Sequence, residues 1–172
     1  RFFVQDGIYD RFVEKFAAAS RALKVGSGLD EGTQQGPLID AKAVDKVEAL
    51  IADAEAKGGK VLTGGRRHAL GGSFFEPTVI TEATPEMRFM KEEIFGPVAC
   101  VIRAKNYEEA LALANDTEFG LASGVCTTSL KYASHFKRNS DAGMVMVNLP
   151  TAGVDYHVPF GGRKGSSYGA RE

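Results

Sequence analysis

Lys91-Glu92-Glu93-Ile94-Phe95-Gly96-Pro97-Val98 sets two carboxylates, an aromatic ring and a Gly-Pro reversal directly ahead of an apolar run, Val98 to Ile102. A continuous apolar run of this length is the pattern of a strand buried on both faces of a parallel sheet. The residues before it are polar and are held by a stiff turn. An ionised Glu accepts hydrogen bonds and donates none, so Glu92 or Glu93 is suited to a sugar diol. Phe95, two residues on, can lie against a flat ring. The same residues also fit a plainer arrangement, a solvated Glu pair beside a core phenylalanine.

Outward from this stretch, strands and helices alternate. Phe2 to Val4 is strand-like, and after a turn at Asp6-Gly7 the residues Ile8, Phe12, Val13, Phe16 and Leu23 recur at helical spacing. Val25 to Pro37 is a glycine-rich loop, and its Gly26-Ser27-Gly28 is followed by Glu31 where a dinucleotide fingerprint requires a third glycine. Asp40 is placed to cap a helix carrying Val44, Val47, Leu50, Ile51 and Ala54, which Gly58-Gly59 stops. Val61 to Thr63 reads as a strand, Arg66-Arg67-His68 as a solvated basic loop, and Phe74 to Ile80 as an extended segment. Pro77 argues there for an edge or irregular strand. Tyr107 to Asn115 and Leu130 to Lys137 read as helices, Ala122 to Thr127 and Met144 to Val147 as strands. The expected fold class is therefore α/β, with βαβ crossovers over a mainly parallel sheet.

Ligands of such sheets collect at the carboxyl ends of the strands. Asn148 to Lys164 follows the Met144 to Val147 strand there, a long aperiodic segment with Val154, Tyr156, His157 and Phe160 among glycines. Loops of that length in a compact domain tend to be functional. A pocket wall and a surface loop tacked down by Phe160 both fit its composition.

Composition bounds the rest. With 172 residues the chain fits one domain and can bury roughly two thirds of its unfolded surface. The balance of 21 basic and 22 acidic residues disfavours nucleic acid and acidic membrane surfaces as partners. No apolar run reaches membrane-spanning length. Cys100 and Cys126 lie in apolar strand-like runs without metal-ligand spacing, which implies buried reduced thiols, no metal site and a cytoplasmic setting. The chain opens on Arg1 and enters a strand at once, so it reads as a piece of something longer.

Glu92-Glu93-Ile94-Phe95-Gly96-Pro97-Val98, Phe119-Gly120-Leu121-Ala122, Gly143 to Asn148, Pro159-Phe160-Gly161-Gly162-Arg163-Lys164 and Arg171-Glu172 together resemble the ordered motifs of the NAD(P)-dependent aldehyde dehydrogenase family. Phe75 to Val79 and Arg1 to Val4 extend the resemblance over essentially the whole chain, which corresponds to a C-terminal, incomplete catalytic domain over residues 1–172. The resemblance implies oxidation of an aldehyde to a carboxylate through a cysteine thiohemiacetal and thioester, with hydride passed to NAD or NADP. It implies that Glu93 accepts hydrogen bonds from the nicotinamide ribose and that Phe95 and Leu121 lie near the nicotinamide. Val154 and Phe160 would line the aldehyde tunnel, with Tyr156 and His157 weaker candidates in the same loop.

The family's nucleophilic cysteine, general-base glutamate, oxyanion-binding asparagine, nucleotide-binding domain and oligomerisation arm have no counterpart in these residues. No catalytic residue is therefore assigned, and the chain alone is expected to lack dehydrogenase activity. The full-length protein would be a homo-oligomer acting on a small aldehyde. Val147 to Val158 and Gly165 to Gly169 resemble members acting on semialdehyde acids, notably 2,5-dioxopentanoate dehydrogenase, with succinate semialdehyde dehydrogenase the rival. Arg163 or His157 could pair with a substrate carboxylate, with a plain surface arginine as the alternative. A non-catalytic fold unit is the reading from a different class.

Overall fold

The computed structural model describes residues 1–167, in which two compact units divide at Ala104 and Lys105. The Arg171-Glu172 pair and the Tyr168-Gly169-Ala170 segment lie outside the described residues.

The first unit is built on a four-stranded sheet of order β1-β4-β3-β2, from β1 (Phe2–Gln5), β2 (Lys60–Thr63), β3 (Thr78–Thr81) and β4 (Val98–Ala104). β4 runs parallel to both neighbours, pairing Phe2 with Val101 and Thr78 with Val98, and only β2 is antiparallel. Helix α1 (Tyr9–Arg21) brings Phe12, Val13 and Phe16 against a buried cluster of Val4, Tyr9, Val79 and Val101. Tyr9 is held inside because its hydroxyl donates to the Val101 carbonyl at 3.3 Å and accepts from the Glu82 amide at 3.2 Å. A buried phenol needs such partners. The Arg103 guanidinium lies 3.8 Å above the Tyr9 ring while it pairs with Asp6 and Asp10.

Helix α2 (Ala41–Ala56) starts and stops where its sequence dictates. The Asp40 carboxylate accepts from the Ala43 amide at 2.8 Å, a cap worth about 1 kcal/mol. At the other end Gly58 takes φ +91°, and the amides of Gly59 and Gly58 donate to the carbonyls of Ala54 and Glu55. This paired reversal satisfies the last carbonyls and needs a residue without a Cβ penalty at Gly58. Val44, Val47, Leu50, Ile51 and Ala54 are all buried, as the helical spacing of these residues predicts.

Pro77 does not mark an edge. β3 is an inner strand buried at every position, and Pro77 immediately precedes it, so the missing N–H costs no ladder bond. The next residue's amide, that of Thr78, donates to the Pro97 carbonyl at 2.8 Å. Two of the basic trio are engaged by carboxylates, Arg66 with Glu76 and Arg67 with Asp45 and Glu48, while His68 Nδ1 accepts from the Leu70 amide.

The second unit holds α3 (Tyr107–Asn115), α4 (Leu130–Asn139), a parallel pair of β6 (Ala122–Val125) with β7 (Met144–Val147), and an antiparallel pair of β5 (Phe119–Gly120) with β8 (Arg163–Lys164). β6-α4-β7 is the βαβ crossover expected from the sequence. Asn106 and Ser129 cap the two helices through the amides of Glu109 and Tyr132. Cys100 is buried as expected, but Cys126 is exposed, because β6 ends at Val125 and the next residue leaves the sheet.

Candidate functional site

The Lys91–Val98 stretch is held from two directions. Upstream, a short 3₁₀ turn at Arg88–Met90 lets the Arg88 side chain grip both oxygens of Glu92, at 2.8 and 3.0 Å. That guanidinium holds the Glu92 carboxyl below its ordinary range. The Arg88 amide in turn donates to Asp53 at 2.9 Å, and together with Lys57 lowers that carboxyl too. Downstream, the Val98 amide returns to the Gly96 carbonyl at 2.8 Å around Pro97, a three-residue reversal at the start of β4.

Between these anchors the two acids separate. Glu92 is occupied by Arg88, whereas the Glu93 side chain is exposed and meets no cation among the described residues. Phe95 is 76% exposed, which removes the plainer reading of a core phenylalanine. Its φ of +50° is a left-handed conformation that a bulky residue adopts only where its surroundings enforce it. Two residues of α2 supply that enforcement. Lys46 donates its ammonium to the Glu93 carbonyl and stands 5.7 Å from the Phe95 ring centre. Val47 packs so closely on Gly96 that a Cβ there would meet its methyl at 2.5 Å. Lys46 was not legible in the sequence, since 47 residues separate it from its partner and no local pattern links them.

The turn sits at the amino end of β4, so the carboxyl-end rule does not describe it. It does describe the loop after β7, because β6 and β7 run parallel and Asn148 begins at their carboxyl edge. Asn148, at φ +56°, clamps that edge: its amide oxygen accepts from the Thr127 N–H and its amide nitrogen donates to the Thr127 carbonyl, both at 2.9 Å. The far end of the loop is pinned as firmly. Arg163 donates to the Ser140 carbonyl at 3.3 Å, Lys164 donates to the carbonyls of Asn115 and Thr117, and Gly120 donates to the Ser166 hydroxyl. A Cβ on Gly143 would strike the Gly161 carbonyl, so the loop's return passes over bare backbone.

Between the two clamps the side chains stand outward. Val154 is half-buried, Tyr156 is 97% exposed, and Phe160 is 48% exposed. His157 contacts the Asp155 carboxylate at 3.3 Å and Tyr156 edge-on. Leu121, at the junction of β5 and β6, is 40% exposed. Structure thus groups Glu93 with Phe95 in the first unit and Leu121, Val154, Tyr156, His157 and Phe160 in the second.

The aldehyde dehydrogenase family model matches residues 1–172. The chain belongs to the aldehyde dehydrogenase family. Among its relatives, 3-sulfolactaldehyde dehydrogenase of Pseudomonas putida is 48% identical over 179 residues, covering all of this chain and 37% of the relative. A succinate-semialdehyde dehydrogenase structure from Burkholderia pseudomallei superposes with a TM-score of 0.94 at 48% identity, over 99% of this chain and 35% of that one. An Escherichia coli NADP-dependent enzyme gives the same TM-score of 0.94 at 44% identity, over 99% of this chain and 35% of that one. The α/β architecture is thus that of aldehyde dehydrogenases, and the chain spans little more than a third of these relatives. Among the described residues no group of His, Cys, Asp and Glu is placed to hold a metal, and no helix is long and apolar enough to cross a membrane.

Proposed function

We propose that this chain supplies cofactor and substrate walls to an NAD- or NADP-linked dehydrogenase that oxidises a short aldehyde with an anionic far end to its carboxylate. The observation that carries this reading is the division of labour at Glu92 and Glu93. One acid is locked to Arg88, while the other is left exposed beside an outward-held aromatic ring. An exposed acceptor-only carboxylate fits a ribose diol, and an exposed Phe95 fits the face of a nicotinamide. When bound, the nicotinamide supplies a hydride acceptor. In the first unit Glu93 orients the ribose and Phe95 covers the face of the ring; in the second, Leu121 is assigned to the nicotinamide and Val154, Tyr156, His157 and Phe160 to the aldehyde's approach.

Oxidation through a cysteine thioester requires an activated thiol with a base in reach. Burial pushes the Cys100 thiol up to about 12, which keeps it protonated and inert. Cys126 is exposed, but no His, Asp or Glu side chain hydrogen-bonds to it among the described residues. The 172-residue chain alone is therefore proposed to be a catalytic-domain piece without turnover, and a non-catalytic fold unit is the second reading, favoured by a buried Cys100 and by a Cys126 without a side-chain base bonded to it among the described residues.

The test is Glu93→Gln against Glu92→Gln in a full-length polypeptide that carries this chain. Losing a hydrogen bond to a charged group costs about 1.5–3 kcal/mol, so Glu93→Gln is expected to lower kcat/KM for the dinucleotide about 10- to 100-fold. Glu92→Gln acts on stability instead. Equal activity of the Glu93→Gln and parent enzymes refutes the assignment, and turnover by the 172-residue chain itself refutes its inactivity.

A further inference from the structure

Lys46, Asp53 and Lys57 recur along α2 and its C-terminal cap at intervals of seven and four residues, which places them in one stripe of the helix. Each meets the backbone of the segment that leads into the turn. Lys57 donates to the Glu86 carbonyl at 2.9 Å, Asp53 Oδ2 accepts from the Arg88 amide at 2.9 Å, and Lys46 donates to the Glu93 carbonyl. Lys57 also pairs with Asp53 Oδ1 at 2.7 Å, so both oxygens of that carboxylate are engaged. Between these anchors in sequence, Met87, Phe89 and Met90 are buried. Apolar burial is non-directional and fixes how deep the segment lies, whereas the polar bonds fix its register along the helix. The amides of Lys91 and Glu92 both return to the Arg88 carbonyl, at 2.9 and 2.8 Å, so the position of Arg88 passes directly to the acids that follow.

We propose that Asp53 is a positioning residue for the dinucleotide: by holding the Arg88 amide it sets where the turn presents Glu93 and Phe95, without touching the ligand itself. This rests on the cofactor role proposed above for Glu93 and Phe95. A hydrogen bond from an amide to a carboxylate is among the stronger ones a backbone can make. Its donor is the amide of Arg88 and not the guanidinium, which is spent on Glu92, so the anchor belongs to Asp53 and not to the side chain at position 88.

Dinucleotide affinity is measured by titrating a full-length polypeptide carrying this chain with NAD+ or NADP+, whichever the parent reduces. Asp53→Leu, similar in shape but without an acceptor, is expected to raise Kd about 10-fold, with the aldehyde KM at saturating dinucleotide within about twofold of the parent. Asp53→Asn keeps an oxygen for the Arg88 amide and is expected to stay within about threefold of the parent. Glu48→Leu releases Arg67 on the same helix instead and is expected to leave Kd unchanged. An unchanged Kd in Asp53→Leu overturns the proposal, as do equal rises in Asp53→Leu and Glu48→Leu or a parallel rise in aldehyde KM. If Asp53→Leu does not fold, Lys57→Met decides, because it removes the bond to the Glu86 carbonyl and one partner of Asp53. A rise in Kd of about 3-fold is then expected, and no rise overturns the proposal. Glu93→Gln in the same titration separates this inference from the reading beneath it. Undiminished affinity there removes the cofactor role of Glu93 and this inference with it, whereas a loss there with none in Asp53→Leu overturns this inference alone.

Discussion

Gly96→Ala probes the seat of the turn proposed to meet the cofactor more directly than any change to Glu93 or Phe95. The added methyl would approach Val47 Cγ2 to 2.5 Å, with Ile94 and Leu38 at 3.6 and 3.7 Å. Val47 is fully buried on a helix, where a β-branched side chain has essentially one rotamer, so it has no alternative position. Overpacking of this kind costs about 1–3 kcal/mol. An opposing effect comes from the unfolded chain, because replacing Gly by Ala at a position without positive φ stabilises by about 0.4–1 kcal/mol. The clash is the larger, and a net loss of roughly 1–2 kcal/mol is expected from urea unfolding.

A double-mutant cycle isolates the cause. Val47→Ala alone removes two buried methyl groups and costs about 2–3 kcal/mol, but it also removes the obstructing atom. Gly96→Ala in that background is expected to be neutral or stabilising, which gives a coupling energy of roughly 1–2 kcal/mol between adjacent sites. Additive costs would refute the contact between turn and helix. Because the same contact holds Phe95 outward, weaker dinucleotide binding is expected in the single variant and partial recovery in the double.

Two further predictions concern charge and thiol chemistry. Hydrogen bonds from Arg67, the Arg88 amide and the Arg88 guanidinium hold the carboxyls of Glu48, Asp53 and Glu92 below their ordinary values of 4.5, 3.8 and 4.5. A depressed folded-state value stabilises the fold above the unfolded-state value, so thermal stability is expected to fall as pH drops below about 4.5, and Arg88→Met to shallow that fall. An unchanged slope in thermal melts from pH 5 to 3 would count against these pairs. Iodoacetamide labelling followed by mass spectrometry is expected to modify Cys126 in the folded protein and Cys100 only after unfolding, since burial raises the Cys100 thiol to about 12. Rapid labelling of Cys100 would reopen it as a reactive group.

What was readable in advance follows the range of the interactions. Tyr107–Asn115 and Met144–Val147 match the sequence reading residue for residue, and α2 begins after Asp40 and ends before Gly58. Caps, glycine reversals and hydrophobic periodicity act over a few residues and leave their mark there. Pro77 misled because a proline signals only a missing donor. Whether that donor is needed depends on which strand lies opposite, and here Pro77 precedes the ladder of an inner strand. Cys126 misled because the apolar run around it outlasts the strand, which stops at Val125.

By itself the sequence determined the alternation of strands and helices, the helix ends, the family and the short set of residues worth attention, since each is written in local spacing or ordered motifs. Tertiary structure alone decided which acid of the Glu92-Glu93 pair is spent on Arg88, and that Phe95 faces outward. It also decided that Lys46 and Val47 support the turn and that Arg163 and Lys164 are engaged by backbone carbonyls. Those outcomes depend on groups brought together from distant parts of the chain, and no local pattern encodes which of two adjacent side chains a remote partner will take.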